Sequence, residues 1–194
     1  MTIRHWPPYD KLHTQEDEMA QGVYVFVDNS NIWIEGKKVS GRQQKPPVDS
    51  DYWYRVDAGN LLQHILAGRT LADIPQLYGS VPPPNDTVWK KIEAAGFEVT
   101  LFDRNTRNKE KGLDMEIGLD MNDLTWKIQT PGTMILVAGD ADYVPVIERV
   151  RPKGWKVEVW YWSNAAEKLR ISADRYENLD TSVYKIGFRQ LPHK

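Results

Sequence analysis

Met134-Ile-Leu-Val-Ala-Gly-Asp-Ala-Asp-Tyr143, an apolar run that ends in two aspartates, is the stretch that decides the fold. Its apolar residues are continuous rather than alternating, which is typical of a strand that is buried on both faces of a sheet. Acids directly after such a strand have two interpretations. They form a turn and cap the next helix, or they bind a divalent cation for chemistry on phosphates.

Apolar strand patterns alternate with helical patterns on both sides of this stretch. The predicted strands are Val23–Val27, Ile74–Val81, Phe97–Phe102, Thr133–Ala138, Trp155–Trp162 and a small one near 181–186. The predicted helices cover about 58–67, 86–95, 113–126, 143–151 and 165–170, whereas residues 36–56 predict a long loop. This alternation indicates an α/β fold, with a mostly parallel central sheet of five to six strands and helices on both faces.

Length and composition fit a single domain without a membrane span. The 194 residues predict an N-terminal arm over 1–21, one domain over 22–186 and a tail over 187–194. The sequence has no cysteine, which excludes disulfides and thiolate metal sites. The N-terminus lacks the apolar core of a signal peptide, so we expect a cytoplasmic protein with no membrane partner. A net charge of −2 gives no global electrostatic case for nucleic-acid binding.

Acidic residues follow the predicted strands at the points where those strands end. Asp28 follows the first strand, Asp140 and Asp142 follow the fourth, and Asp114 opens the helix after the third. If the first and fourth strands are neighbours, these side chains meet at one edge of the sheet. Each pair of carboxylates about 5 Å apart costs roughly 3 kcal/mol at an effective dielectric constant of about 20. Mg²⁺ or Mn²⁺ would relieve that repulsion, since both prefer oxygen ligands.

Other charged residues near this edge have two interpretations, as parts of the site or as ordinary solvated surface. The acids on the helix at Glu116, Asp120 and Asp123 fit a solvated face, although Asp120 could support the site from a distance. Asp142 could both cap its helix and face the metal. The cations that precede Asp114 would either bind substrate phosphates or form a solvated loop. The substrate-binding candidates are Arg104, Arg107, Lys109 and Lys111, together with Arg170.

Three motifs and a C-terminal stretch resemble the NYN branch of the PIN-like nucleases, which includes the LabA-like group. The resemblance covers roughly residues 22–180. The family's third motif ends in Phe, where this chain has Tyr143. The matching segments are Val27-Asp-Asn-Ser-Asn-Ile32, Glu110-Lys-Gly-Leu-Asp-Met115, Ala138-Gly-Asp-Ala-Asp-Tyr143 and Leu169-Arg-Ile-Ser-Ala-Asp174.

The resemblance implies a Rossmann-like PIN fold and a ribonuclease that depends on Mg²⁺ or Mn²⁺. It also implies that Asn31 orients a ligand or the scissile phosphate, and that the catalytic set is this residue together with the metal ligands. The implied metal ligands are Asp28, Asp114, Asp140 and Asp142. Single-stranded RNA is the expected partner, and a homodimer is left open. The alternatives are an RNA-binding or regulatory module without turnover, and a nuclease that acts on DNA.

Overall fold

The computed structural model describes residues 22–81, 86–103 and 110–190. The predicted arm over 1–21 and the candidates Arg104, Arg107 and Lys109 lie outside these residues. The strands are β1 (Val23–Asp28), β2 (Tyr54–Val56), β3 (Gln76–Val81), β4 (Glu98–Asp103), β5 (Thr133–Val137), β6 (Lys156–Tyr161), β7 (Arg175–Asn178) and β8 (Gly187–Arg189). The α-helices are α1 (Asn29–Arg42), α2 (Ala58–Leu66), α3 (Asp86–Ala94), α4 (Glu110–Lys127), α5 (Val144–Val150) and α6 (Glu167–Ser172).

Six strands form the central sheet, in the order β4-β3-β1-β5-β6-β7. Every neighbouring pair of these strands is parallel. Consecutive residues of β1, β5 and β6 are buried, which requires that both faces of the sheet are covered. The prediction of an α/β fold with a central parallel sheet is therefore confirmed.

The strand order reverses beside β1, and this reversal positions the acidic residues. The chain builds β3 and β4 on one side of β1 and then returns to place β5 on the other side. β1 and β5 pair in register from Val23 with Thr133 to Val27 with Val137. The segments that follow the two strands then diverge, which leaves a crevice at their carboxyl ends. Ligands in open α/β sheets bind at such a switch point.

Local sequence signals account for several helix ends around the sheet. The side chain of Asp57 accepts a hydrogen bond from the backbone N–H of Asn60 at 2.8 Å, which caps α2 at its start. Gly96 follows α3 with a φ of 97° and leads the chain into β4. Gly154 has a φ of 91° and does the same before β6. These left-handed positions favour glycine because a side chain there would be strained.

The structure corrects three sequence predictions. Residues 36–56 are not one long loop, because α1 continues to Arg42 and β2 begins at Tyr54. The predicted strand near 181–186 is wrong, since a short 3-10 helix occupies Asp180–Ser182. The next strand, β8, lies beyond the predicted domain end at residue 186 and pairs antiparallel with β2. Across the described ranges, each helix is too short or too polar to span a bilayer.

Candidate active site

Three carboxylates meet at the carboxyl ends of the central strands. Asp114 lies in the second turn of α4, Asp140 follows β5, and Asp142 lies in the 3-10 helix that precedes α5. One oxygen from each side chain lies within 4.8 Å of the others. We call these three residues the acidic cluster. The sequence prediction that separate segments deliver acids to one place holds for these three residues.

The fourth predicted ligand, Asp28, lies beside the acidic cluster but is more deeply buried. Its side chain is only 2% exposed at the end of β1. Its Oδ1 accepts a hydrogen bond from the backbone N–H of Asn31 at 3.1 Å, and its Oδ2 accepts one from the Asn31 amide at 3.3 Å. Asp28, Asn31, Asp114 and Asp140 also line one cleft of about 210 Å³, which we call the site cleft.

The hydroxyl of Tyr143 joins Asp28 to the acidic cluster. It donates to Asp28 Oδ2 at 3.0 Å and to Asp114 Oδ1 at 2.9 Å. One hydroxyl has one proton, so the two carboxylates share it. The sequence predicted only that this residue begins the helix over about 143–151. The signal that pointed to more was its difference from the resembling family, whose motif has Phe and therefore no hydroxyl at this position.

A second tyrosine fixes the side chain of Asn31. The Tyr161 hydroxyl hydrogen bonds to Asn31 Oδ1 and also lies 3.1 Å from the Asn31 carbonyl oxygen. The amide group of Asn31 is therefore oriented with its oxygen toward Tyr161 and its nitrogen toward Asp28. The ring of Tyr161 packs against Gly139, where a Cβ would lie only 1.9 Å from a ring carbon. Glycine at 139 is thus required by this ring, in addition to any turn.

Asp28 and Asp140 also cap the elements that follow them. Asp28 caps α1 through the Asn31 N–H, and Asp140 Oδ1 accepts from the backbone N–H of Asp142 at 3.1 Å. The predicted capping role of Asp142 is therefore wrong, because the capping side chain is that of Asp140. The two interpretations of the opening stretch are compatible, since a carboxylate that caps with one oxygen keeps its other oxygen for a ligand.

The surroundings of Asp28 and Asp114 disfavour the charged forms of these two acids. Burial raises the pKa of Asp28, although hydrogen bonds from Asn31 and Tyr143 oppose the shift. The pKa of Asp114 is raised to about 6, first by burial and then by the negative charges of Asp28, Asp140 and Asp142. Burial, and then the negative charges of Asp28 and Asp114, raise the pKa of the Tyr143 hydroxyl, which therefore stays protonated. Among the described residues, no lysine or arginine lines the site cleft.

The donor set fits a divalent cation. Mg²⁺ takes six oxygen ligands at about 2.0–2.1 Å, so two of its ligands lie roughly 3–4 Å apart. Oxygens within 4.8 Å of one another need only small side-chain rotations to reach that spacing. A cation would also offset the repulsion that raises the pKa of Asp114. Asp114, Asp140 and Asp142 are the residues that would hold it, with Asp28 next to them.

Some predicted residues lie elsewhere. Asp120 does not join the acidic cluster, because its carboxylate accepts a hydrogen bond from Tyr78 at 2.6 Å. Arg170 is exposed on α6, with its guanidinium 4.8 Å from the centroid of the Tyr176 ring. Lys111 lies in the first turn of α4.

The family follows from a comparison with models of known domains. The model of the NYN domain matches residues 22–180, which is most of the chain. The chain belongs to the NYN domain family. This confirms the resemblance drawn from the sequence motifs, and NYN membership suggests a nuclease-like function.

The NYN fold of this chain is also found in a solved structure. A crystal structure of a protein of unknown function from Vibrio parahaemolyticus matches with a TM-score of 0.64 and 18% sequence identity. The match covers 90% of this chain and all of that one. At this identity the likeness shows a shared fold only. No curated protein matches this NYN chain significantly.

Proposed function

We propose that this protein is a ribonuclease that hydrolyses phosphodiester bonds of single-stranded RNA with Mg²⁺ or Mn²⁺ bound at the acidic cluster. The observation that carries the proposal is the convergence of three carboxylates within 4.8 Å at the switch point of a nuclease-type fold. Carboxylates this close repel one another in the absence of a ligand, whereas oxygens at this spacing suit a hard divalent cation.

Each residue of the site has a role that follows from its contacts. Asp114, Asp140 and Asp142 hold the cation. When bound, the cation lowers the pKa of water and neutralises charge on the scissile phosphate. Asp28 is held in place by Asn31 and Tyr143, so its carboxylate stays aimed at the same cleft.

Asn31 orients the substrate in this mechanism. Its amide is fixed between Tyr161 and Asp28, and its position in the wall of the site cleft allows the amide N–H to donate to a phosphate oxygen. No lysine or arginine is among the described residues that line the site cleft, and its aspartates would repel a phosphate. Substrate binding therefore depends on the cation and on groups outside this cleft.

The test is cleavage of labelled single-stranded RNA by the wild type and by variants that each remove one charge. We expect cleavage in Mg²⁺ or Mn²⁺, none in EDTA, and a loss of at least about 100-fold in Asp140→Asn and Asp114→Asn. Asp123→Asn is the matched control, because Asp123 is an exposed acid on the same helix as Asp114. Single-stranded DNA of the same sequence tests the choice of RNA.

Two outcomes would contradict the proposal. Cleavage that survives both EDTA and Asp140→Asn would exclude the metal mechanism. RNA binding that needs no cation, with no cleavage of RNA or DNA under any condition, would favour a binding module that has the fold without turnover.

A further inference from the structure

A groove between α4 and α5 leads away from the acidic cluster. Its volume is about 550 Å³, which is within the range of roughly 300–1,000 Å³ for sites that bind small ligands. Asp114 and Asp142, two members of the acidic cluster, line one end of it. We call it the α4–α5 groove. A ligand that lies in this groove would reach the candidate cation site directly.

The wall that α4 contributes is apolar where a solvated helix would be polar. The core-facing side of this helix is already apolar and buried, through Leu113, Ile117, Met121 and Leu124. On the outer side, Met115 is 63% exposed and Leu119 is 52% exposed. These two residues are four positions apart and lie on one face, and both line the groove. Exposed apolar pairs next to a polar site indicate a ligand with an apolar part.

The opposite wall supplies a proline and a cation. Pro145 and Arg149 project from α5 into the groove at positions four apart. Arg149 is exposed and forms no ion pair or side-chain hydrogen bond with any other residue that the structure describes. It lies seven positions after Asp142, roughly 10 Å along the helix. The groove therefore joins the candidate cation site at one end to an exposed arginine at the other, across a mostly apolar floor.

We propose that the α4–α5 groove binds the nucleotide next to the scissile phosphate of an RNA strand. The base lies against Met115 and Leu119, because a flat aromatic ring packs favourably on apolar side chains and on the polarizable sulfur of methionine. The following phosphate lies at Arg149. A strand that alternates anionic and apolar parts matches the alternation of charge and apolar surface along the groove. This inference rests on the proposed ribonuclease function.

Binding to RNA tests the groove separately from cleavage. An Asp140→Asn background prevents cleavage and removes the contribution of the cation, so the RNA binding that remains comes from groups outside the site cleft. In this background we expect Met115→Ser, Leu119→Ser and Arg149→Ala each to weaken binding of fluorescein-labelled single-stranded RNA about tenfold, measured by fluorescence anisotropy. Arg149→Ala should also reduce the slope of log affinity against log salt by about 0.7. The matched controls are Ile74→Ser, an exposed apolar residue before β3, and Lys90→Ala, an exposed cation on α3.

Cleavage kinetics add a second readout in the protein without Asp140→Asn. Groove variants should raise KM with little change in kcat, because they remove binding that is equal in the ground state and the transition state. All of the changed residues are at least half exposed or on a helix surface, so the variants are expected to keep the wild-type melting temperature.

The failures are distinguishable. Wild-type cleavage together with groove variants that bind and cleave like the controls would overturn the groove and leave the ribonuclease proposal intact. Loss of cleavage and of RNA binding in every protein, including the wild type, would overturn both. If Leu119→Ser changes the molecular mass measured by sedimentation but not the affinity for RNA, the groove is a contact with a second copy of the chain and the proposal is wrong.

Discussion

The Tyr143 hydroxyl lies 3.0 Å from Oδ2 of Asp28, which is 115 positions earlier in the chain. The same hydroxyl lies 2.9 Å from Asp114, so one side chain joins β1, α4 and the segment after β5. Asp28 is almost fully buried, and its other donors, from Ser30 and Asn31, all belong to the segment that directly follows it. The hydroxyl therefore holds two acids close together in the absence of a cation.

The first prediction concerns Tyr143→Phe. We expect the free energy of unfolding in EDTA at pH 7.5 to fall by about 1.5–3 kcal/mol, the usual range for a hydrogen bond to a charged group. The loss should be smaller at pH 5, because protonated carboxyls depend less on an outside donor. Urea unfolding at both pH values measures it.

Tyr176→Phe is the matched control for this prediction. Its hydroxyl donates to the carbonyl oxygen of Trp162 at 2.7 Å, a group that does not titrate. The cost of removing it should be equal at the two pH values. A pH-independent cost for Tyr143→Phe as well would contradict the view that its hydroxyl stabilises charged carboxylates.

The second prediction is the pH dependence that Asp114 imparts to the metal-free protein. Its pKa is about 6 in the folded chain and near 4 in the unfolded chain. The folded state thus holds more protons between these values. The contribution of Asp114 protonation to the free energy of unfolding is therefore fully present below about pH 4, and it is lost as the pH rises through 6. We expect Asp114→Asn to be more stable than the wild type at pH 7.5 in EDTA, and the difference to vanish near pH 4. A constant difference across this range would contradict the raised pKa.

The third prediction concerns stabilisation by a divalent cation. At a Mn²⁺ concentration about 100 times Kd, the folded state gains about 2.7 kcal/mol. For a chain of this size this corresponds to a rise in Tm of roughly 5–10 °C. The rise should be smaller at pH 5 than at pH 7.5, since protons compete with the cation for Asp114. It should be lost in Asp140→Asn and kept in Asp123→Asn. An equal rise in both variants would place cation binding outside the acidic cluster.

The sequence predicted the central sheet well because its strands are buried on both faces. Continuous apolar runs such as Thr133–Ala138 have no alternative in a polar loop, and β1, β5 and β6 lie where such runs predict them. β3 and β4 carry more polar residues, and they too lie within two residues of their predicted positions. β7 was missed because its residues, Arg175–Asn178, form a polar edge strand. Its sequence has no apolar pattern that predicts pairing with β6.

The second half of helix α1 was missed because the glycine, proline and polar clusters of residues 36–56 were interpreted as signs of a loop. Gly36 lies where a Cβ would be 3.0 Å from the rings of both Trp162 and Tyr54. The glycine is needed for this close packing, and the packing offsets its low helix propensity. The approach of an aromatic ring from a distant strand cannot be read from the local sequence, so propensity alone gave the wrong answer.

The candidate site was predictable to the level of its acids but not of their supports. Asp28 and Asp140 directly precede helical segments and Asp142 lies in the turn that follows Asp140, as their positions in the sequence indicate. Asp114 was predicted to open its helix but lies in the second turn, because α4 begins at Glu110. The tyrosines that bridge or orient them act across the sheet. The contacts of their hydroxyls with these residues depend on the pairing of β5 with β1, which the local sequence does not show.

The fourth prediction separates the two roles of Asp140. Asparagine caps helical turns as well as aspartate does, whereas alanine does not. In EDTA we expect Asp140→Asn to equal or exceed the wild type in stability, because it keeps the cap and relieves repulsion. Asp140→Ala should be about 1 kcal/mol less stable than Asp140→Asn.

The matched control for Asp140 is Asp57, which caps α2 without joining the acidic cluster. Asp57→Ala should lose about 1 kcal/mol, and Asp57→Asn should gain nothing. A clear loss of Tm in Asp140→Asn would show that its charge is structural rather than repulsive.

The fifth prediction tests the contact between Gly139 and Tyr161. A Cβ at 139 would lie 1.9 Å from the Tyr161 ring, so Gly139→Ala must displace the ring or the strand end. We expect a loss of about 1–3 kcal/mol in unfolding free energy and a drop in cleavage, since the displaced hydroxyl no longer orients Asn31. Gly59→Ala is the control, because the atoms nearest its Cβ lie at 3.4 Å or more.

Tyr161→Phe keeps the ring and removes only the hydroxyl, so it should lower cleavage with a smaller loss of stability. Full activity in Tyr161→Phe would show that Asn31 needs no support from this hydroxyl.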